Sequence, residues 1–166
     1  MSLGSSSPGR RLLVIVASLC TLGAASAGVS IWTRSAETDP APLGSSGPCR
    51  EVGKNVPEET LGDSLDGAAR QGVASWGDGR IILRCGVGEI PPTVDPCVNA
   101  NGVDWVLDEK RLEKEGVAAF TTYGRSPAVE LTYSGAPEEA TGALVDVNAA
   151  VSWLQQKRTC VGMGDL

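Results

Sequence analysis

From Leu12 to Thr33 the chain carries no charged residue, and Arg10-Arg11 stands immediately before that run. At about 1.5 Å per residue a helix of this length crosses a hydrocarbon core of roughly 30 Å. Two arginines on its N-terminal side, and no acid before Glu37, keep that end in the cytoplasm. Residues 1–11 are therefore expected to form a short cytoplasmic tail and residues 12–33 a transmembrane signal anchor, with everything beyond exported. Two other fates stay open. Ala25-x-Ala27 offers a signal-peptidase site after a short apolar region, and Cys20 is a candidate for lipidation, although Leu19 stands where a small residue normally precedes the lipid-carrying cysteine.

Residues 34–48 hold Pro40, Pro42, Pro48, Gly44, Gly47, Ser45 and Ser46 and little to bury, the composition of a flexible linker. The folded domain is expected to start near Cys49 and to occupy residues 49–166. Its expected partners follow from its charge. Beyond Thr33 there are 12 Lys and Arg against 20 Asp and Glu, a net charge of −8 that repels phosphate backbones. Nucleic acid is not an expected partner. The membrane, through the N-terminal segment, and a cell-envelope protein or wall component are.

Cys20 lies in the apolar run, which leaves Cys49, Cys85, Cys97 and Cys160 for the domain. An even number of cysteines in a small exported domain points to disulfides. The gaps of 36, 12 and 63 positions contain no C-x-x-C, and the chain has no histidine, so neither a zinc site nor a redox motif is expected. Spacing alone leaves three connectivities. Cys49 opens the first helical stretch, Cys85 sits on the apolar face of a strand, and Cys160 closes the last helical stretch. Cys49–Cys85 with Cys97–Cys160 is favoured on that placement, each bridge stapling a helix end to a sheet.

Periodicity supplies the elements. Val52, Val56, Leu61 and Leu65 recur at helical spacing between Cys49 and Leu65, interrupted by Pro57. Ile81 to Val87 alternates as a strand, introduced by the Gly77-Asp78-Gly79 turn after a short strand around Trp76. Pro91, Pro92 and Pro96 impose an extended loop. Val103, Trp105 and Leu107 alternate against Asp104 and Asp108, which indicates a strand with one wet face, and Asp108 to Glu115 is an exposed connection. Val117–Tyr123 and Ala128–Tyr133 form a hairpin, with Val129, Leu131 and Tyr133 inward. Leu144, Val147, Val151 and Leu154 line one face of a closing helix that carries Lys157-Arg158 near its end. Trp76, Trp105 and Trp153 fall in these elements and are assigned to the core. The fold class is α+β: an antiparallel sheet of four to five strands with helices on one face, preceded by the transmembrane helix.

Five segments, in this order and spacing, resemble the actinobacterial domain-of-unknown-function family DUF3515: Trp76-Gly77-Asp78, Ile82-Leu83-Arg84-Cys85-Gly86, Asn101-Gly102-Val103-Asp104-Trp105, Phe120-Thr121-Thr122-Tyr123-Gly124-Arg125 and Leu144-Val145-Asp146. The resemblance spans roughly residues 49–154. It implies an N-terminal membrane segment or secretion signal and an extracytoplasmic domain, and it implies no activity. Gly79 stands where many relatives carry proline, and Cys97 and Cys160 are not shared by every member.

Without histidine the commonest general base and every Ser-His or Cys-His pair are missing, and no P-loop, dinucleotide fingerprint or G-x-S-x-G motif occurs. Cys97-x-Asn99-x-Asn101-Gly102 with Asp108 has a superficial likeness to a calcium loop, but a cysteine in the first ligand position and Asp104 where an apolar residue belongs argue against it. No metal, cofactor or catalytic residue is assigned. Asp78 and Tyr123 lie in the resembling segments, Asp78 as a turn residue, and Arg84, Asp104 and Arg125 make up a candidate surface site. The expected function is that of a membrane-anchored, single-pass protein whose extracytoplasmic domain is a non-enzymatic envelope binding module. The alternative is a small envelope-acting hydrolase or transferase using a carboxylate with Arg84 or Arg125.

Overall fold

The computed structural model describes residues 38–161. The apolar run 12–33 and Trp32 lie outside them. No helix among the described residues is long and apolar enough to cross a membrane.

The fold is α+β and its sheets are antiparallel. In chain order the elements are α1 (Gly47–Lys54), β1 (Glu59–Thr60), β2 (Asp63–Ser64), β3 (Val73–Trp76), β4 (Ile81–Val87), β5 (Cys97–Ala100), β6 (Val103–Leu107), α2 (Glu109–Glu115), β7 (Ala118–Thr122), β8 (Ala128–Tyr133), a 3-10 turn (Pro137–Glu139), α3 (Ala140–Asp146) and α4 (Asn148–Val151). The main sheet has six strands, ordered β3-β4-β8-β7-β6-β5, where four or five were expected. β5 is the strand that alternation misses, because Cys97-Val98-Asn99-Ala100 has no clear apolar face.

Tight turns set the register. Ala100 pairs with Val103 across Asn101-Gly102, both at positive φ (48° and 83°), the backbone of a two-residue hairpin that twists with its strands. Leu61-Gly62 closes the small β1–β2 hairpin in the same way, with φ of 51° and 80°. The segment from Pro57 to Leu65, expected to be helical, is thus a hairpin after a single helix, α1.

Strand alternation divides the main sheet into two faces. On one lie Trp76, Ile81, Leu83, Cys85, Tyr133, Leu131, Val129, Phe120 and Trp105, all buried. They form the core with Cys49 and Val52 of α1, Ala143 and Leu144 of α3, and Val147, Val151 and Leu154. Fully burying an aliphatic side chain of this kind is worth about 1.5–3 kcal/mol. The expected closing helix keeps its apolar face but not its length. It breaks into α3 and α4 and ends at Val151, so Lys157-Arg158 sit in an extended tail rather than at a helix terminus. Trp153, assigned to the core, is 47 % exposed.

Asp108 to Glu115, expected as a plain connection, is the helix α2. The Asp108 side chain accepts from Arg111 N at 3.0 Å as its N-cap, and Gly116, at φ 69°, ends it in the left-handed conformation. Ahead of α1, Leu43 N donates to Gly86 O at 3.1 Å and Ala41 is buried, so packing onto the sheet extends N-terminal of Cys49. Gly86 is required there, since a Cβ would overlap the Leu43 backbone, and its φ of 96° marks the bulge between Cys85 and Val87.

Candidate functional site

Asp104 sits on β6 beside the Asn101-Gly102 turn, on the sheet face opposite the core. The alternation that predicted a wet face is right about direction and wrong about exposure, because Asp104 is only 6 % exposed. Three donors surround its carboxylate. Asn99 Nδ2 donates to Oδ1 at 2.6 Å, while Gln156 Nε2 and Cys160 N donate to Oδ2 at 2.9 and 3.0 Å. The C-terminal tail supplies two of the three.

Arg125 lies in the loop between β7 and β8 and is 4 % exposed. Its Nη1 donates to the carbonyls of Ser152 (3.0 Å) and Leu154, its Nη2 to Gly102 O (3.2 Å) and Gln156 Oε1 (3.1 Å). Two of these carbonyls follow α4, where a cation suits the orphaned acceptors of a helix end. Burial pushes the guanidinium's pKa down from its ordinary value, and the nearby Asp104 carboxylate opposes the shift.

Gln156 bridges the two, donating to Asp104 and accepting from Arg125. Residue 156 also pairs with Arg125 as an isolated β-bridge, and Lys157 N donates to Gly124 O at 2.7 Å. Gly124 permits that approach, since a Cβ there would overlap the Arg158 backbone. Asp104 and Arg125 are therefore brought together, but as a buried fastening for the tail rather than as a surface site.

Arg84 is elsewhere. It lies on β4, with β8 and β7 between it and β6. Its Nη1 meets Glu130 Oε1 at 3.2 Å in a cross-strand pair, and Arg111 of α2 meets Glu130 Oε2 at 3.5 Å and Glu115 at 3.1 Å. This ion chain ties α2 to the sheet, and the expected grouping of Arg84 with Asp104 and Arg125 does not occur. Asp78, at φ 57°, is a turn residue whose N–H donates to Asp66 Oδ1, and the Tyr123 ring lies under Arg158 with 5.8 Å from guanidinium carbon to centroid.

The cysteines pair as Cys49–Cys85, with Cα atoms 5.3 Å apart, and Cys97–Cys160, 6.4 Å apart. Cys49 and Cys85 are fully buried between α1 and the core face. Cys97 and Cys160 lie on the other side of the molecule and both keep surface in contact with solvent. The sulfurs of this second pair and a carboxylate oxygen of Asp104 lie within 4.8 Å of one another. Joined to each other, the sulfurs are thioether-like and poor metal ligands, since thiolate is the ligating form.

Of the residues that make the cluster, sequence reasoning met Asn99 only as a position in a rejected calcium-loop likeness and did not identify Gln156. Asn99 could have been found from the Asn101-Gly102 hairpin signal, which aligns it with Asp104. Gln156 carries no signal of its own in one sequence.

Together, the sheet, the two bridges and the fastened tail define a disulfide-linked α+β domain whose buried polar residues hold structure. The chain belongs to the family described as "Protein of unknown function (DUF3515)", which matches residues 12–159 and so includes the apolar run as well as the domain. No curated protein and no solved structure matches it.

Proposed function

We propose that this protein is a single-pass membrane protein whose domain lies outside the cytoplasm and binds a cell-envelope protein or wall component without catalysing a reaction. The observation that carries the reading is the pair of disulfides, one near each end of the domain, because such bonds form and persist in oxidising compartments. Arg10-Arg11 followed by an uncharged stretch supplies the tether and its orientation. Binding is favoured over catalysis by the way the candidate groups are used. All four acceptors around Arg125 are backbone or amide groups of the protein itself, and Arg84 is committed to Glu130. A catalytic acid–base pair needs groups free to reach a substrate.

Proximity cross-linking of the full-length protein in intact cells tests the reading. The expected result is reproducible recovery of one or more envelope components. Recovery of cytoplasmic proteins alone would overturn it, as would turnover of peptidoglycan fragments that Arg84→Ala abolishes.

A further inference from the structure

The two disulfides differ in what surrounds them. Cys49–Cys85 is closed in the core, whereas Cys97–Cys160 forms part of the wall of a cleft of about 540 Å³. Val94 and Val161, 102 % and 68 % exposed, stand on this cleft, with Pro92, Pro96 and Tyr123 completing its apolar surface. An attacking group can therefore reach the second pair of sulfurs from solvent without any opening of the core. The bond is also the covalent end of the tail fastening, directly beyond Gln156 and its bonds to Asp104 and Arg125.

We propose that Cys97–Cys160 is a thiol–disulfide exchange site, whose co-substrate is a dithiol presenting its attacking sulfur from a surface that is neutral or cationic. One thiolate of the dithiol attacks either Sγ, forming a mixed disulfide and displacing the other cysteine as a thiolate that takes a proton from water. The second thiol of the dithiol, as thiolate, then displaces the first cysteine. The protein disulfide gains two electrons and two protons, and the dithiol ends as a disulfide. The charge preference follows from Asp95, an exposed carboxylate in the cleft wall two residues before Cys97, which repels an anionic attacker. The buried Asp104 carboxylate is offset by its three donors and the nearby Arg125, and Arg158 over Tyr123 is paired with Glu89.

Exchange at this bond leaves the core intact. The tail retains Lys157 N on Gly124 O, the Gln156 bridge and Cys160 N on Asp104 Oδ2, and loses only its covalent tie to β5. The site does not depend on the membrane tether, so its test is separate from that of the proposed function.

The experiment uses the full chain in detergent micelles under native conditions, with limiting reductant, differential alkylation and mass spectrometry of each cysteine. With dithiothreitol, Cys97 and Cys160 should become alkylated about tenfold or more faster than Cys49 and Cys85, because access governs exchange. At low salt the cationic thiol cysteamine should reduce the bond about tenfold faster than the anionic 2-mercaptoethanesulfonate, compared at equal thiolate concentration, with the ratio falling as salt is added. Asp95→Asn should narrow that ratio. Far-ultraviolet circular dichroism and the near-ultraviolet tryptophan bands of the singly reduced protein, which report the core around Trp76 and Trp105, should match the oxidised form. Equal rates at the two bridges, prior reduction of Cys49–Cys85, loss of the near-ultraviolet tryptophan bands with the first bond, or indifference to thiol charge would each overturn the proposal.

Discussion

Arg125 and Asp66 show how single charged side chains are put to structural use. Arg125→Ala would leave four neutral acceptors without their donor, and leaving a buried polar group unsatisfied costs about 1–3 kcal/mol. Urea unfolding should show a lower midpoint at an unchanged slope. Arg125→Lys should recover less than half of the loss, since an ammonium cannot serve acceptors spread over two guanidinium nitrogens. At Asp66, an exposed residue, desolvation of the carboxyl by its neighbours acts to raise its pKa. Bonds from Asp78 N (2.9 Å), the Ser75 hydroxyl and Gly79 N (2.9 Å) outweigh it and hold the pKa below the ordinary carboxylate value. A depressed pKa in the folded state stabilises the protein above the unfolded value, and that contribution is lost as pH falls through the folded value. Asp66→Asn should therefore flatten the acid limb of stability, where pH falls below the ordinary carboxylate range, as measured by urea midpoints across pH. Residue types alone suggested that Arg84, Asp104 and Arg125 share a site. Two of them do, through Gln156, but the alternation that sets Asp104 outward says nothing of a tail arriving from 52 residues away in sequence to cover it.

At the scale of elements, the strands that alternate were legible and those that do not were hidden. Ile81–Val87 and the β7–β8 hairpin follow from their apolar period, because each has one face on the core. β5 lies at the sheet edge, where one side needs no partner, and only its Asn101-Gly102 turn betrays it. The helix α2 has no buried residue, so the hydrophobic pattern is silent, yet its caps are explicit in Asp108 and Gly116. Asp108→Ala should lower stability by about 1 kcal/mol through loss of the cap. A spectroscopic melt should show the shift, while a far-ultraviolet spectrum of the folded state changes little. The closing helix was overextended for a different reason. The carbonyls of Ser152 and Leu154 have a side-chain donor in Arg125, so the chain can leave the helix there without stranding them.

For the whole molecule, the two bridges close loops of 36 and 63 residues, and the chain-entropy relation gives about 4 kcal/mol for each. Their removal should nevertheless differ. Cys97→Ser with Cys160→Ser should lower the urea midpoint and leave a folded domain. Cys49→Ser with Cys85→Ser also places hydroxyls in the core, and should cost more. The pairing was legible only as a preference among three, because the distance between cysteines in sequence does not report which strands are neighbours. Compartment is the premise on which the proposed role depends, and thiol trapping with protease treatment of intact cells measures it most directly. Cells expressing the full chain are quenched in acid and treated with a maleimide polymer, and a parallel sample with its outer layers opened is exposed to protease. The expected result is a membrane-fraction protein in which Cys49 and Cys85 are unlabelled until reductant is added and whose domain the protease digests. A protease-protected domain with Cys49 and Cys85 as free thiols would contradict an extracytoplasmic location.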